Sequence, residues 1–305
     1  MAPPARTQDN VRASIVLIIA ILAFSVETMV VRALSSSATP AQAVAFRAGA
    51  QLVVVAVWIV WRRRGFSLAT RHLGLHLARG FVSVVGWWLY YRMFQKLDYA
   101  LATLLTFASS LFVVMLARPV LGERVQLVSW IATILGFAGI FIATGADVGG
   151  LDIEVALGLL AAAFSAMIVF LTRKLVLAED TVTIMTYIGL IVFAVSAPVA
   201  AATWQPLALG HAVQLSLASL LGALGMILMI EAYGMGEAAV LAPIGYLRMA
   251  FALALGYLFF AEVPGPRILI GTAIVVASAL YAMHHEHRRK QRLIGSGSIG
   301  SGPAR

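Results

Sequence analysis

The chain has 305 residues, of which 61% are hydrophobic and 11% are charged. Soluble domains are roughly 45–50% apolar and about 25% charged, so this composition excludes a soluble globular protein and predicts an integral membrane protein. The net charge of +9 lies between hydrophobic runs, which indicates membrane orientation and argues against nucleic acid as a partner. The absence of cysteine excludes disulfides and thiolate metal sites.

Ten hydrophobic runs follow one another along the chain, each close to the roughly 20 residues that cross a bilayer as a helix. They cover residues 12–34, 41–61, 73–95, 100–118, 127–145, 155–172, 182–203, 213–233, 238–260 and 268–283. A loop with Asp147, Asp152 and Glu154 divides the chain. We therefore predict an all-α membrane protein of ten transmembrane helices, with five-helix domains at 1–146 and 147–293 and a flexible tail or tag remnant at 294–305.

The lysines and arginines set the orientation. With a cytoplasmic N-terminus, the outside loops collect only Arg32, Lys96 and Arg267, and all other loop cations lie inside. Cytoplasmic loops carry such an excess, so both termini are predicted to be cytoplasmic. Five spans per half is an odd number, so a duplicated second half would be inverted relative to the first.

A weak internal repeat supports duplication. The stretch from Arg92 to Glu123 aligns without a gap on the stretch from Glu231 to Glu262, and Phe112 then meets Phe251. Apolar hairpins share some residues by chance, but span number, register and charge bias agree. The sequence therefore predicts two inverted repeats.

These halves resemble a known family. Each has a similar entry to its fourth span, A-L-A or E-A-A, and ends that span at a glutamate, in Leu121-Gly122-Glu123-Arg124 and in Phe260-Ala261-Glu262. The pattern resembles the EamA-type ten-helix members of the drug/metabolite transporter superfamily. The resemblance implies a central substrate cavity surrounded by spans 1, 3, 4, 6, 8 and 9, with spans 5 and 10 peripheral.

Two charged residues are predicted near the membrane centre. At about 1.5 Å per residue, Arg248 lies at the centre of the ninth run and Glu27 about 6 Å outward of the centre of the first. A zwitterion such as an amino acid would offer its carboxylate to Arg248 and its ammonium to Glu27. Alternatively, the two residues form a structural salt bridge or serve different helices without touching substrate.

The other charges are predicted nearer the membrane surfaces. Arg92 is expected near the outer mouth and Glu231 near the inner mouth. Arg79 is expected near the inner end of its span and Arg47 in the outer third, where long side chains can snorkel to the interface.

Polar, bending and aromatic residues complete the predicted cavity. Pro243 and Gly245 should bend the ninth span and are candidates for gating. Hydroxyl groups and aromatic rings at similar depth could contact a substrate, and we predict this role for Thr106, Ser109, Trp87, Phe107, Phe164 and Tyr246. An interfacial aromatic belt is the alternative, and it fits Tyr90, Tyr91 and Tyr233 better.

Catalytic and nucleotide-binding motifs are absent from the sequence. There is no G-x-S-x-G, H-E-x-x-H or G-x-x-x-x-G-K-[ST], so an enzyme and a primary pump are not predicted. The predicted function is secondary transport of small metabolites in the bacterial inner membrane, with export of apolar or aromatic amino acids as the leading interpretation. A carrier of a nucleoside-like cofactor, vitamin or drug, or a pore-type channel, is the alternative.

The predicted partners follow from this function. They are a small-molecule substrate, the lipid bilayer and, through Glu27, a proton as candidate coupling ion. No cofactor, metal or nucleic acid is predicted. The sequence leaves open the substrate, the direction of transport, the coupling and the choice between monomer and homodimer.

Overall fold

The computed structural model describes residues 9–62, 69–121, 126–145, 152–176, 178–236 and 238–297. These ranges contain helices and no strand. The first eight helices are α1 (Asn10–Ala33), α2 (Pro40–Arg62), α3 (Leu73–Lys96), α4 (Tyr99–Leu121), α5 (Leu127–Thr144), α6 (Ile153–Leu175), α7 (Thr181–Ala202) and α8 (Leu209–Met235). A short helix α9 (Ala238–Leu241), a 3₁₀ turn (Ala242–Tyr246), α10 (Leu247–Phe260) and α11 (Pro266–Gly297) complete the bundle.

Nine helices in the described ranges are long and apolar enough to cross a membrane. The remaining long helix, α3, has 24 residues but also carries His76, Arg79, Arg92 and Lys96, which make it more polar. The predicted all-helical membrane protein is therefore confirmed. Most helix bounds lie within a few residues of the hydrophobic runs, but the ninth run is divided into α9, the 3₁₀ turn and α10, and α11 continues to Gly297, well beyond residue 283. The inverted repeat and the orientation stay predictions.

Local signals start and stop several helices. The Asp9 carboxylate accepts a hydrogen bond from the Arg12 amide at 3.0 Å, and the Asp152 carboxylate accepts one from the Glu154 amide at 2.9 Å. Both aspartates thereby cap helix N-termini that would otherwise leave donors unpaired. Gly145 ends α5 with a φ of 63°, a conformation that glycine adopts without strain.

The helices pack in a regular pattern. Helix α1 packs on α8, α3 on α6, and α2 on α7, while α4 contacts both α6 and α10. Helix α11 packs mainly on α5 at one side of the bundle. There the backbones approach closely, because a Cβ at Gly139 would lie 2.7 Å from the Gly271 carbonyl oxygen.

Some predicted features fall outside the described residues. These are Glu123, Arg124, Asp147, Glu237, the 146/147 domain boundary and residues 298–305 of the predicted tail. The tail's first residues, 294–297, form the end of α11.

Candidate substrate site

A buried ion pair joins α1 and α2 within the bundle. Both carboxylate oxygens of Glu27 accept hydrogen bonds from one guanidinium nitrogen of Arg47. The Tyr91 hydroxyl donates a third bond to Glu27, at 2.7 Å. Glu27 is 3% exposed and Arg47 6%, so the pair is sealed from its surroundings. An isolated charge at this depth would be costly, and the pairing is what makes it tolerable.

The structure corrects two expectations about these charges. Arg47 does not snorkel to the interface, because its guanidinium turns inward to Glu27 and lies over the Trp87 ring at 5.4 Å. A Glu27–Arg248 salt bridge, one of the alternatives considered above, is likewise not formed, since Arg47 and Tyr91 occupy the carboxylate.

Gly222 on α8 makes room for the ion pair. A Cβ at this position would overlap the Arg47 guanidinium and the Glu27 carboxylate. The close packing of α8 on α1 therefore depends on a residue without a side chain. Three helices meet at this point, α1, α2 and α8.

Arg248, at the start of α10, contacts the other half of the chain through Tyr90. Its guanidinium donates to the Tyr90 hydroxyl and lies 5.9 Å from the centre of that ring. Arg248 is partly exposed and forms no ion pair with any described carboxylate. Tyr90 packs edge-on against Tyr91 at 5.5 Å, which connects Arg248 to the buried ion pair.

Two predicted aromatic residues meet at the turn that precedes α10. Phe107 of α4 and Tyr246 of the 3₁₀ turn stack with ring centres 5.3 Å apart and planes inclined by 25°. The turn that carries Tyr246 begins with Ala242 and Pro243, where the proline removes an amide donor from the helix. A Cβ at Gly245 would meet no atom within 4 Å, so this segment has open space beside it.

The other predicted cavity residues occupy less distinctive positions. The hydroxyls of Thr106 and Ser109 donate to carbonyls one turn earlier in α4, at 2.6 and 2.8 Å. Phe164 of α6 packs near Gly86 of α3. Trp87 lies beneath Arg47, on the side of α3 that faces α2.

The charges predicted at the mouths lie toward the helix ends. Arg92 forms a two-point ion pair with Glu154, with nitrogen–oxygen distances of 3.0 and 2.6 Å, and this pair ties α3 to the start of α6. Glu231 is partly buried in the last turns of α8. Arg79 is 4% exposed and donates from Nε to the Thr172 hydroxyl at 2.8 Å, so its guanidinium is held inside the bundle near the inner end of α3.

A third ion pair lies at one end of the bundle. Arg32, in the last turn of α1, pairs with Glu262 just after α10 and donates to the Leu97 carbonyl. Glu262 also accepts a bond from the Tyr99 amide, at 2.7 Å. The Tyr99 hydroxyl in turn donates to the Ser25 carbonyl in α1 at 2.6 Å. We call Arg32, Tyr99 and Glu262 the outer latch, since the predicted orientation places them outside.

Sequence reasoning missed Arg47 as a partner of Glu27, and it assigned Tyr90 and Tyr91 to an interfacial belt. A signal for the ion pair was present. Glu27 lies six residues before the end of α1 and Arg47 seven after the start of α2, so a tight hairpin places them at one depth. No comparable signal marks the tyrosines.

An apolar cleft of about 360 Å³ lies apart from these charges. It runs along α5 and α6, and its lining includes Phe137, Phe141 and Leu159. Its one polar side chain is that of Thr144, whose hydroxyl donates to the Phe141 carbonyl at 2.9 Å. This surface suits lipid chains and offers no polar group for recognition.

The model of the EamA-like transporter family matches the chain twice, over residues 11–145 and 152–283. The chain belongs to the EamA-like transporter family. This confirms the resemblance to the drug/metabolite transporter superfamily. With its apolar helices, membership identifies a multi-pass protein of the bacterial inner membrane.

Several characterised proteins are similar to this EamA-like transporter. An S-adenosylmethionine uptake transporter of Rickettsia bellii is 26% identical over 75% of this chain and 78% of its own length. A riboflavin transporter of Vibrio cholerae is 28% identical over 74% of this chain and 76% of its own length. A pseudopaline exporter of Pseudomonas aeruginosa is 23% identical over 89% of this chain and 96% of its own length. These names describe transporters of metabolites, which fits the prediction that the chain is not an enzyme.

The fold is shared with a solved crystal structure. That structure is 21% identical, with a TM-score of 0.61 over 92% of this chain and 99% of the other. The similarity supports the helical arrangement described above.

Proposed function

We propose that this EamA-like transporter is an alternating-access secondary carrier of small metabolites, with its substrate site beside Arg248. In this proposal the two halves are inverted five-helix repeats with both termini cytoplasmic. They rock about a mid-depth site and open it to each side of the membrane in turn.

The helix packing supports the inverted repeat. Helices α9 and α10 together form the ninth span, so α6 to α11 would repeat α1 to α5 with α10 matching α4. The contact of α1 with α8 then corresponds to that of α6 with α3. The contact of α2 with α8 likewise corresponds to that of α7 with α3, and the contact of α1 with α10 to that of α6 with α4. All six contacts are present. The two matches of the family model, one in each half, agree with the same division.

The observation that carries the proposal is the contact between Arg248 and Tyr90. A guanidinium at this depth is expensive and is normally retained for a pathway or a partner. Here Arg248 belongs to one half and its hydrogen-bond partner to the other, and an aromatic pair with one ring from each half stacks at the turn just before Arg248. A site built from two halves changes shape when the halves move relative to each other.

The outer latch fits one state of such a cycle. Arg32 and Tyr99 come from the first half and Glu262 from the second, so their bonds hold the halves together at one end. In alternating access the opposite state would require these bonds to break. The arrangement is therefore that of a carrier closed on the outer side.

We place ring-bearing metabolites ahead of free amino acids as substrates. The aromatic pair Phe107–Tyr246 and the Tyr90 ring provide flat surfaces that favour stacking. The similar proteins of known substrate include carriers of a vitamin and of a nucleoside-containing cofactor. Glu27 is also bonded to Arg47 and Tyr91, so its carboxylate is not available to bind the ammonium group of an amino acid.

Uptake into proteoliposomes tests the proposal. The purified protein would be given radiolabelled apolar amino acids, threonine, nucleosides, nicotinate and riboflavin, with protein-free liposomes as the background. We expect saturable uptake of at least one ring-bearing compound that is not an amino acid, namely a nucleoside, nicotinate or riboflavin. Uptake confined to the amino acids would instead favour amino-acid transport. Linear, non-saturating flux of many compounds would indicate a pore.

A further inference from the structure

We propose that the site beside Arg248 selects metabolites that carry a carboxylate on a flat ring, and that the Glu27–Arg47 pair sets this preference for anions. The inference rests on the proposed function and names the substrate class of the same site.

The first step is the charge of the site. Glu27 and Arg47 cancel each other, and the Tyr91 hydroxyl takes up further acceptor capacity of the carboxylate. The nearby charge that remains is the single positive charge of Arg248. Both members of the pair are almost fully buried, whereas Arg248 is partly exposed. An entering molecule therefore meets the Arg248 cation, whereas the Glu27 carboxylate is not accessible to it.

The second step is the state of the Arg248 guanidinium. It makes one hydrogen bond within the described part of the chain, to the neutral Tyr90 hydroxyl. The carboxylates of Glu27, Glu154 and Glu262 are each taken by a different arginine, Arg47, Arg92 and Arg32 respectively. A guanidinium presents donors in a planar fork that fits a carboxylate at two points. A substrate carboxylate would supply the counter-charge that no described carboxylate of the protein provides to Arg248.

The third step is the surface next to this fork. The Tyr90 ring centre lies 5.9 Å from the Arg248 guanidinium, and the Phe107–Tyr246 stack is close to Arg248 in the chain, Tyr246 being two residues before it. A ring joined to a carboxylate by a short link would place its charge on Arg248 and its face on an aromatic surface. Zwitterions gain less from this site, because their ammonium group finds no free carboxylate, and cations are repelled.

A matched series of compounds with one ring separates these classes. Indole-3-acetate is an anion, tryptophan a zwitterion and tryptamine a cation, and nicotinate and nicotinamide form a second pair. Uptake of each would be measured in proteoliposomes with the wild-type protein. We expect the two carboxylates to be transported at least about tenfold better than tryptamine and nicotinamide, the difference typical of one charge-assisted hydrogen-bond pair.

Variants assign the preference to Arg248. Arg248→Gln should lower carboxylate uptake about tenfold or more, and Arg248→Glu should reverse the order so that tryptamine exceeds indole-3-acetate. Arg79→Gln is the matched control, because it removes another buried guanidinium that has no carboxylate partner among the described residues and is held by Thr172 away from the site. It should keep the wild-type order. Gel filtration in detergent checks that each variant folds.

Better uptake of tryptamine or nicotinamide than of the carboxylates would overturn the inference but leave the carrier intact. Carboxylate uptake at the wild-type rate by a folded Arg248→Gln variant would also overturn the inference and leave the carrier intact. Failure of the wild-type protein to transport any of these compounds, or any member of the earlier panel, would instead count against the carrier itself.

Discussion

At the scale of single residues, the arginines inside this transporter differ in the acceptor that each one bonds. Arg47 pairs with Glu27, Arg92 with Glu154 and Arg32 with Glu262, whereas within the described residues Arg248 is bonded to the neutral hydroxyl of Tyr90. Breaking a buried ion pair typically costs about 3–5 kcal/mol, because the remaining charge stays buried. The three paired arginines thus have a structural role, Arg79 is held by the Thr172 hydroxyl, and we propose that Arg248 is the arginine that binds a ligand.

Gly222→Ala tests the packing of the buried ion pair. A methyl group there would overlap both Arg47 and Glu27, so the pair must separate or α8 must move away from α1. We expect a loss of about 3 kcal/mol or more in unfolding free energy, followed as a lower unfolding temperature in detergent. Gly210→Ala, in the first turn of the same helix, meets no atom within 4 Å and should not lower that temperature. Equal stability of both variants would show that the ion pair does not need Gly222.

At the scale of helices, the end of α10 positions the outer latch. Ala261 has a φ of 52° and ends the helix, and the Glu262 amide then donates back to the Gly256 carbonyl at 3.1 Å. This closing turn aims the Glu262 carboxylate at Arg32 and at the amide that begins α4. The latch therefore depends on backbone geometry as well as on charge.

Glu262→Gln should weaken the outer latch. The natural chain has no cysteine, so Ser25→Cys provides a single thiol below the latch at a position that is 1% exposed. We expect a membrane-impermeant maleimide, applied to intact cells, to label this thiol about tenfold faster when Glu262 is glutamine. Asp98→Asn is the control, because Asp98 lies 3.7 Å from Arg32 but its side chain is 65% exposed, and such pairs contribute little. An unchanged labelling rate in the Glu262→Gln variant would show that these bonds do not close the outer end of the bundle.

A further contact joins the segments before α3 and α7 at the other end of the bundle. The Thr70 hydroxyl and the His72 ring both bond Glu179, and these bonds lower the pKa of its carboxyl below the ordinary 4.5. A lowered pKa means that the folded state favours the ionised carboxylate. The resulting stabilisation is present above the ordinary pKa and is lost as pH falls through the lowered value.

Glu179→Gln should remove this pH dependence. Between pH 6 and about pH 3.5, the unfolding temperature of the wild-type protein should fall more steeply than that of the variant. Asp180→Asn is a matched control, because Asp180 is exposed and makes no side-chain cap to α7. Parallel profiles for the wild-type protein and Glu179→Gln would show that the contact does not contribute to stability.

At the scale of the whole molecule, what could be predicted from sequence is what depends on position along a helix. The helix bounds follow from the length of each hydrophobic run, and Pro243 lies in the 3₁₀ turn that interrupts the ninth span. The direction in which a side chain points around its helix, and the neighbour it meets, cannot be read in the same way. For this reason the sequence does not identify Arg47 as the partner of Glu27, and it favours an interfacial position for Tyr91, which is 4% exposed in the bundle.

The same limit explains the outer latch. Arg32, Tyr99 and Glu262 belong to three segments far apart in the chain, and only the packed bundle brings them together. Several helix contacts between the two halves correspond in pairs, as in α1 with α8 and α6 with α3. This correspondence fits the proposal that the two halves move as units about Arg248 and Tyr90. A carrier of this kind must exchange substrate from either side without opening to both sides at once.

Counterflow in proteoliposomes tests this central claim most directly. Vesicles loaded with a transported compound and diluted into a trace of the same compound, radiolabelled, should accumulate the label transiently and saturably. Arg248→Gln should reduce this accumulation by about tenfold, and Arg79→Gln should not. Flux that rises linearly with concentration and shows no counterflow would contradict alternating access. Undiminished counterflow in a folded Arg248→Gln variant would contradict the site.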